Sequence, residues 1–541
     1  MSWGAITSLS LVQGGCRAKG GSVRGVDDPL GMPQNFICAD REQSFLLPPS
    51  LRDWLPADHL AWCVIEAVAE MDLSAFYADY RLDGHGRAAY EPSLMVALVL
   101  FAFATNNRSS RAIERHCRQD IAYRVITGNL IPDHATIARF ICRHEEALAA
   151  LFGEVLRVCA RAGLVKVGVI AIDGSKVQAS ANRDRTVDYE RIAREIIAEA
   201  REIDEAEDEL YGEARGDELP EQLRTAEGRR KAPREAKQQL EREREADREE
   251  DGDDLAFELE QERLVSSHQG RRGWMREARR QLDERRKRQK KPVPRSRAER
   301  LLEAKRRLEE ELAVERATNE AYEHYRATAR DKQGRRLSRP PNPYEPPDAP
   351  AGEINTTDPD SRIMKATRGF LQGYNAQLVT SEQQIVLAAE VTVDPADFGH
   401  LKPMVEAAGH ELQHAGVSDT PGVAVADAGY WNEQHMDHLA ANGTQLLIPP
   451  DSRKRKGGPR PGWNGGRYAW MRRVLDTDNG GKTYRKRQRM IEPVFANNKF
   501  NRKLDRFHRR GRSAAQTEWR LINATHNLLK LHRHQLAAAA A

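Results

Sequence analysis

A long, highly charged stretch divides this chain. Residues 186–335 are rich in charged, helix-prone residues, whereas short apolar runs with β-branched residues occur on both sides of them. The strands of a single sheet would therefore come from segments far apart in the sequence, with the charged stretch inserted between them. With this insertion set aside, the order strand, hairpin, helix, strand, helix, strand, helix predicts a mixed α/β sheet flanked by helices.

The part before the first strand is predicted to be an all-α N-terminal domain at 40–160. Apolar residues recur there at helical spacing, an apolar helix is expected over 93–104, and a further helix would bury Ile113, Cys117, Ile121 and Val125 on one face. Short helices joined by tight turns could form a DNA-reading helix-turn-helix or a plain bundle with polar outer faces, and spacing alone leaves both open. The arginines scattered over these helices are Arg108, Arg111, Arg115, Arg118, Arg139 and Arg143.

The remaining segments follow from changes in composition. Residues 1–39 are Gly-rich and weakly patterned, so we expect a loose or disordered N-terminus. Residues 161–185 would form the first part of a catalytic core, with a strand over 165–172 that ends at an aspartate. The stretch 186–352 would be a helical, partly disordered insertion closing on a Pro-rich linker, and 353–535 the rest of the core with basic C-terminal helices.

Charge, cysteines and hydropathy narrow the class of protein. The net charge of +4 hides an acidic stretch at 236–262 and a basic one at 453–512, a loop-rich one over 451–485. The basic part indicates either a polyanionic partner or a solvated face, and charge alone does not choose between them. Six isolated cysteines indicate reduced thiols in a cytosolic protein. The longest apolar run, 94–104, is too short for a membrane span.

Two short apolar strands are each followed by an aspartate, in VIAIDGSKV (169–177) and VAVADAGYW (423–431). Carboxylates at strand ends can project into a shared cleft, and carboxylate oxygens are ligands that Mg²⁺ accepts. Taken alone, an aspartate after a strand is more often a helix cap or a turn residue. Four other aspartates in loops are predicted to be turn formers, namely Asp358, Asp360, Asp394 and Asp397.

Several segments, in order, carry a resemblance to a known family. They are YEPSLMVALVLFAFA (90–104), SSRAIERHC (109–117), PDHATIARF (132–140), IDGSKVQASAN (172–182), DPDSRIM (358–364), QGYNAQL (372–378), VADAGYW (425–431), IEPVFANNK (491–499) and NLLK (527–530). Together they resemble the DDE transposases of bacterial insertion sequences, in which a helical N-terminal domain precedes an RNase H-like catalytic core. The resemblance covers roughly residues 40–185 and 355–535.

The resemblance implies a catalytic and metal-binding triad of Asp173, Asp427 and Glu492 that holds Mg²⁺ or Mn²⁺ as two ions. In that family a Tyr, an Arg and a Lys accompany the Glu at set spacing. Lys499 matches, but Tyr484 lies one residue too far upstream, and Gln488 occupies the usual Arg position. Its neighbours Arg487 and Arg489 could substitute. With Lys499 and Tyr484, these arginines and Arg111 and Arg139 of the N-terminal helices are the predicted DNA-binding residues.

The resemblance further implies cleavage at the ends of an insertion sequence and strand transfer into target DNA. The expected partners are double-stranded DNA, as terminal inverted repeats and as target, and a second copy of the chain in a homodimer on DNA, with 186–335 as a candidate contact. The expected location is the bacterial cytoplasm, in association with the nucleoid when the protein is active. Two alternatives stay open: a nuclease or resolvase on the same core that does not join DNA, and a catalytically decayed DNA-binding repressor.

Overall fold

The structure is a computed structural model, and it describes residues 36–37, 50–81, 88–199, 270–289, 293–294, 296–328, 342–366, 369–451 and 463–540. The predicted loose N-terminus therefore lies outside the described residues, except for β1 (Phe36–Ile37), which pairs in parallel with β2 (Ala89–Tyr90). None of the described helices is long and apolar enough to cross a membrane.

Helices form the whole of the described chain between β2 and the main sheet. Asp133 begins one of them by accepting a hydrogen bond from the Thr136 amide, as its position in the sequence indicates. The single helix expected from Ile113 to Val125 is wrong, because Asp120 ends one helix and caps the next, which leaves Ile121 49% exposed. The helices up to the first sheet strand are α1 (Leu60–Ala69), α2 (Ser74–Tyr77), α3 (Pro92–Ala104), α4 (Ser110–Gln119), α5 (Ile121–Ile126), α6 (His134–Arg143) and α7 (Glu145–Arg161).

A mixed six-stranded sheet is the centre of the molecule, which confirms the predicted sheet class. Its order is β10-β9-β3-β7-β6, with β8 also paired to β7. The pairs β10–β9 and β9–β3 are parallel, and the pairs of β7 with its neighbours are antiparallel. Its strands are β3 (Val169–Gln178), β6 (Arg362–Ala366), β7 (Gly369–Ser381), β8 (Val386–Thr392), β9 (Val423–Ala426) and β10 (Gln445–Leu447); β4 (Thr186–Asp188) and β5 (Glu353–Asn355) pair separately.

The strand β3 does not end at Asp173, contrary to the prediction. Its parallel pairing with β9 ends at Ile172 and Ala426, but its antiparallel pairing with β7 continues to Gln178. The apolar pattern of the sequence reports only the part of β3 that is covered on both faces, so it stops where one neighbouring strand leaves. Asp173 therefore lies in mid-strand, at the point where β9 turns away.

The expected loop-rich character of 451–485 is also wrong for its second half. Two helices form there, and the remaining helices pack around the sheet. They are α10 (Leu401–His414), α11 (Glu433–Ala441), α12 (Gly466–Asp476), α13 (Asp478–Met490), α14 (Glu492–Ala496), a π-helical turn (Asn497–Asn501) and α15 (Arg512–Ala540).

The N-terminal helices and the sheet share one hydrophobic core, which the long helix α15 completes. Trp519 of α15 is fully buried and donates from its indole to the Gln377 carbonyl at 3.0 Å. Arg108 of the α3–α4 turn forms a 2.8 Å ion pair with Glu518 and donates to the carbonyl of Lys503 at 3.1 Å. Because its side chain is 7% exposed, Arg108 ties the N-terminal helices to α15 and does not face solvent as a DNA-reading arginine would.

Two helices of the charged insertion, α8 (Gly270–Gln289) and α9 (Arg297–Thr328), pack against each other and against the core. Leu301 and Leu308, two of the apolar positions of this stretch, are buried. Charged groups join the insertion to the core, as in the ion pairs Arg286–Glu310 at 2.8 Å and Arg512–Glu284 at 2.9 Å. Residues 200–269 lie outside the described part, so the predicted disorder there is not addressed.

Gly373 marks a close approach of β7 to β3. A Cβ on this residue would lie 2.1 Å from the Val177 carbonyl oxygen, so Gly373→Ala forces the two strands apart. We expect the variant to lose about 1–3 kcal/mol of stability and several degrees in Tm. Gly409→Ala is the matched control in α10, where no atom lies within 4 Å, and its Tm should not fall. Equal Tm values for the two variants in a thermal melt would contradict the packing of β7 on β3.

His526 of α15 makes stability depend on pH. Its ring is 6% exposed and contacts the Gln384 carbonyl oxygen through Nε2 at 3.0 Å, and burial lowers its pKa from 6.5 to about 4. The neutral form is therefore favoured in the folded state, so its full contribution is present above pH 6.5 and is lost as the pH falls towards 4. Between those limits the loss amounts to about 3 kcal/mol. In urea unfolding at pH 7.5 and pH 5, His526→Gln should lose less stability than the parent, whereas His410→Gln, at an exposed position, should match the parent.

Candidate active site

Two of the three predicted carboxylates lie side by side on neighbouring strands. Asp173 follows Ile172 on β3, and Asp427 follows Ala426 on β9, the residue that pairs with Ile172. Neighbouring strands lie about 4.8 Å apart. Each carboxylate accepts a backbone N–H at 2.8 Å, from Gly174 and from Gly429 respectively, so both are held by their own backbone.

Arg487 connects the third predicted carboxylate to the first. Its guanidinium lies 2.8 Å from Asp173 Oδ2 and 3.6 Å from Glu492 Oε1. The Arg487 side chain is only 14% exposed, whereas Glu492, the first residue of α14, is 52% exposed. The structure therefore brings Asp173, Asp427 and Glu492, which are hundreds of residues apart in sequence, around one edge of the sheet.

Lys499 reaches the same strand from the π-helical turn. Its ammonium contacts the hydroxyl of Ser175, which lies two residues after Asp173 and so on the same face of β3. Burial lowers the pKa of Lys499, and the charge of Asp173 opposes that shift. The expected two-turn α-helical spacing of Glu492 and Lys499 is wrong in detail, because a short α-helix gives way to the π turn between them. Such π turns occur frequently at functional sites.

The electrostatics of the two aspartates favour a bound cation. Burial raises the pKa of Asp173 to about 6; Arg487 opposes this shift, and the nearby charge of Asp427 adds to it. The pKa of Asp427 is also raised, first by burial and then by the charge of Asp397. Close carboxylates with raised pKa values repel each other, and a divalent cation between them would relieve that repulsion.

The donor set fits a hard cation in part. Asp173 and Asp427 supply the carboxylate oxygens that Mg²⁺ or Mn²⁺ prefers. Within the part of the chain that the structure describes, no group of three His, Cys, Asp or Glu side chains is close enough to hold an ion. Glu492 is separated from the aspartates by Arg487, so a third ligand to the same ion requires the Arg487 or Glu492 side chain to move.

The other predicted DNA-binding residues occupy different positions. Tyr484 is partly buried, and its charge affects the pKa of Arg487, so these two residues share a face of α13. Arg489 is exposed, and two positions along a helix turn it about 200° from Arg487. Arg111 on α4 and Arg139 on α6 are exposed on two helices that pack together.

Asp397 belongs to this neighbourhood, although its sequence context predicts only a turn former. Its Oδ1 accepts from Asn375 and Gln377, each at 2.9 Å, and from Lys176 at 3.2 Å. A methyl group on Gly429 would lie 3.0 Å from Asp427 Oδ1 and 3.7 Å from Asp397 Oδ2, so the two acids border the same backbone. No local pattern signals this, because its partners come from β3 and β7.

Two of the other predicted turn formers are buried structural acids. Asp358 is fully buried and accepts two 2.9 Å hydrogen bonds from the Tyr374 hydroxyl. Asp360 accepts from the Arg512 amide at 2.8 Å and pairs with Arg307 of α9. Their partners show that they join the sheet to α9 and α15, away from the Asp173–Asp427 pair.

Comparison with family models gives two matches. A model described as a transposase domain (DUF772) matches residues 49–143, and one described as a transposase DDE domain matches residues 452–532. The chain is a DDE transposase of the insertion-sequence type. The second match contains Arg487, Glu492 and Lys499, whereas Asp173 and Asp427 of this transposase lie outside both matched ranges. No curated protein and no solved structure matches the chain.

Proposed function

We propose that this transposase cleaves DNA at the ends of its insertion sequence and transfers the freed strands into target DNA, using divalent metal ions held by an RNase H-like core. The observation that carries the proposal is the bridge from Asp173 through Arg487 to Glu492 beside Asp427. These groups converge at one edge of a mixed sheet in a chain that matches transposase families at both ends.

The proposed roles of the side chains follow from their positions. Bound divalent ions, two in our proposal, would activate the attacking oxygen and stabilise the leaving one. Asp173 and Asp427 project from paired strands, so their carboxylates are fixed before substrate arrives. Lys499 would hold a phosphate of the substrate strand. Arg487 would balance the charge of Asp173 and, on release of Glu492, bind a phosphate in two-point fashion.

DNA recognition is assigned to the N-terminal helices. Arg111 on α4 and Arg139 on α6 are exposed and belong to two packed helices within the range matched by the first family model. We propose that this face contacts the terminal inverted repeats and that two copies of the chain bring two ends together. Phosphate contacts by such arginines fix register, and base contacts would supply sequence preference.

The direct test uses labelled insertion-sequence ends, a supercoiled target plasmid, and Mg²⁺ or Mn²⁺ with the purified full chain. We expect products cut at the element ends and end DNA joined to the plasmid. Cleavage without joined products would indicate a nuclease or resolvase. Tight binding with neither product would indicate a catalytically decayed repressor. Either of those results overturns the proposal.

A further inference from the structure

Phe500 directly follows Lys499 and is 80% exposed, more than any other described large apolar side chain. The two residues belong to the same π-helical turn, so their Cα atoms are about 3.8 Å apart. Lys499 points to Ser175 on β3, while Phe500 presents its ring to solvent. An apolar ring thus stands at the rim of the candidate active site without a packing role in the free protein.

The exposure of Phe500 is built into an anchored backbone. Arg502, two residues on, is buried and donates to the Phe103 carbonyl at 3.0 Å and to the Thr525 hydroxyl at 2.5 Å. The carbonyl of Asn501 accepts from Asn106 at 3.5 Å. Because the flanking residues are fixed to α3 and α15, the ring of Phe500 is presented by rigid backbone.

The surroundings of Phe500 indicate the chemistry of its partner. Lys503 and Arg506 are exposed on the same segment, and the ammonium of Lys499 lies on its other side. A partner that suits both the ring and these cations carries negative charge and flat apolar faces. Single-stranded nucleic acid has both, because its phosphates pair with Lys and Arg while its unpaired bases stack on aromatic rings.

We propose that Phe500 stacks on an unpaired nucleobase of the DNA strand whose phosphate Lys499 holds. The inference rests on the proposed function, because it places the substrate strand across Lys499. The ring fills the position of a neighbouring base and keeps the strand end separated from its complement. Phe500 is therefore a positioning residue for the DNA end.

The test uses end DNA of the insertion sequence with 2-aminopurine at successive positions next to the cleavage site. An Asp173→Asn background with Ca²⁺ prevents cleavage, so the fluorescence reports stacking alone. We expect protein with Phe500 intact to quench one position. Phe500→Leu should abolish that quench and weaken binding of the splayed end about 5- to 100-fold, and Phe500→Trp should retain it. Phe370→Leu, at a ring that is 58% exposed on β7, is the matched control.

The outcomes separate this inference from the proposed function. An unchanged quench in Phe500→Leu, or no quench with Phe500 intact, overturns the stacking role even if cleavage and joining proceed in the parent chain. A quench that depends on Phe500 in a chain that neither cuts nor joins DNA would overturn the proposed function and leave the stacking role standing. A lower mass of Phe500→Leu in sedimentation, with the quench unchanged, would assign the ring to contact with a second copy and also overturn the inference.

Discussion

Asp173→Asn is expected to reduce cleavage and joining of end DNA by about 10³-fold or more while leaving DNA binding intact. The substitution keeps the size of the side chain but removes the charge that would hold a cation beside Asp427. It also leaves Arg487 without its closest acidic partner, at 2.8 Å. Single-turnover cleavage measures the loss, and an electrophoretic shift of labelled end DNA measures binding.

Asp184→Asn is the matched control for that experiment. Asp184 is exposed in the turn after β3, so its charge can be removed without touching the strand edge. We expect its cleavage rate to equal that of the parent. An Asp173→Asn variant that cuts end DNA as fast as Asp184→Asn would remove Asp173 from the chemistry.

Arg487→Met is expected to slow cleavage about 100-fold, the second-largest effect. Methionine keeps an unbranched apolar stem of similar length but loses the guanidinium that lies between Asp173 and Glu492. Without that positive charge, burial and Asp427 would raise the pKa of Asp173 further, because Arg487 is the main group that opposes the shift. Cleavage rates at pH 6 and pH 8 should therefore differ more in the variant than in the parent.

Arg489→Met tests which arginine faces the site. Arg489 is exposed on the opposite side of α13, and we expect its loss to change the cleavage rate by less than about threefold, in line with a solvated charge. If Arg489→Met were the damaging variant and Arg487→Met the harmless one, the orientation of α13 described here would be wrong.

Sequence patterns predicted the parts of the fold whose signals are local. The strand Val423–Ala426 has the bounds predicted for it, because a short apolar run lies between Gly422 and Asp427. The end of β3 was predicted wrongly because it depends on β7, some 200 residues away. The break between α4 and α5 was missed because the Asp120 cap outweighs the apolar spacing that continues through Ile121.

The candidate site was predictable to a similar extent. Strand context and family resemblance pointed to Asp173 and Asp427, and the structure places them on adjacent strands. The choice between Arg487 and Arg489 was left open, because it depends on how α13 is rotated against the sheet. Asp397 was missed for the same reason, since its proximity to Asp427 arises from a loop folding over β7.

The central claim is that Asp173, Asp427 and Glu492 hold common metal ions. The most direct measurement replaces Mg²⁺ with Fe²⁺ in the full chain and maps, by mass spectrometry, the backbone cuts made by hydroxyl radicals formed with ascorbate and peroxide. We predict cuts next to all three residues, suppressed by excess Mg²⁺ and lost in Asp173→Asn. Cuts near Asp173 and Asp427 but none near Glu492, or cuts that Asp173→Asn leaves unchanged, would contradict the claim.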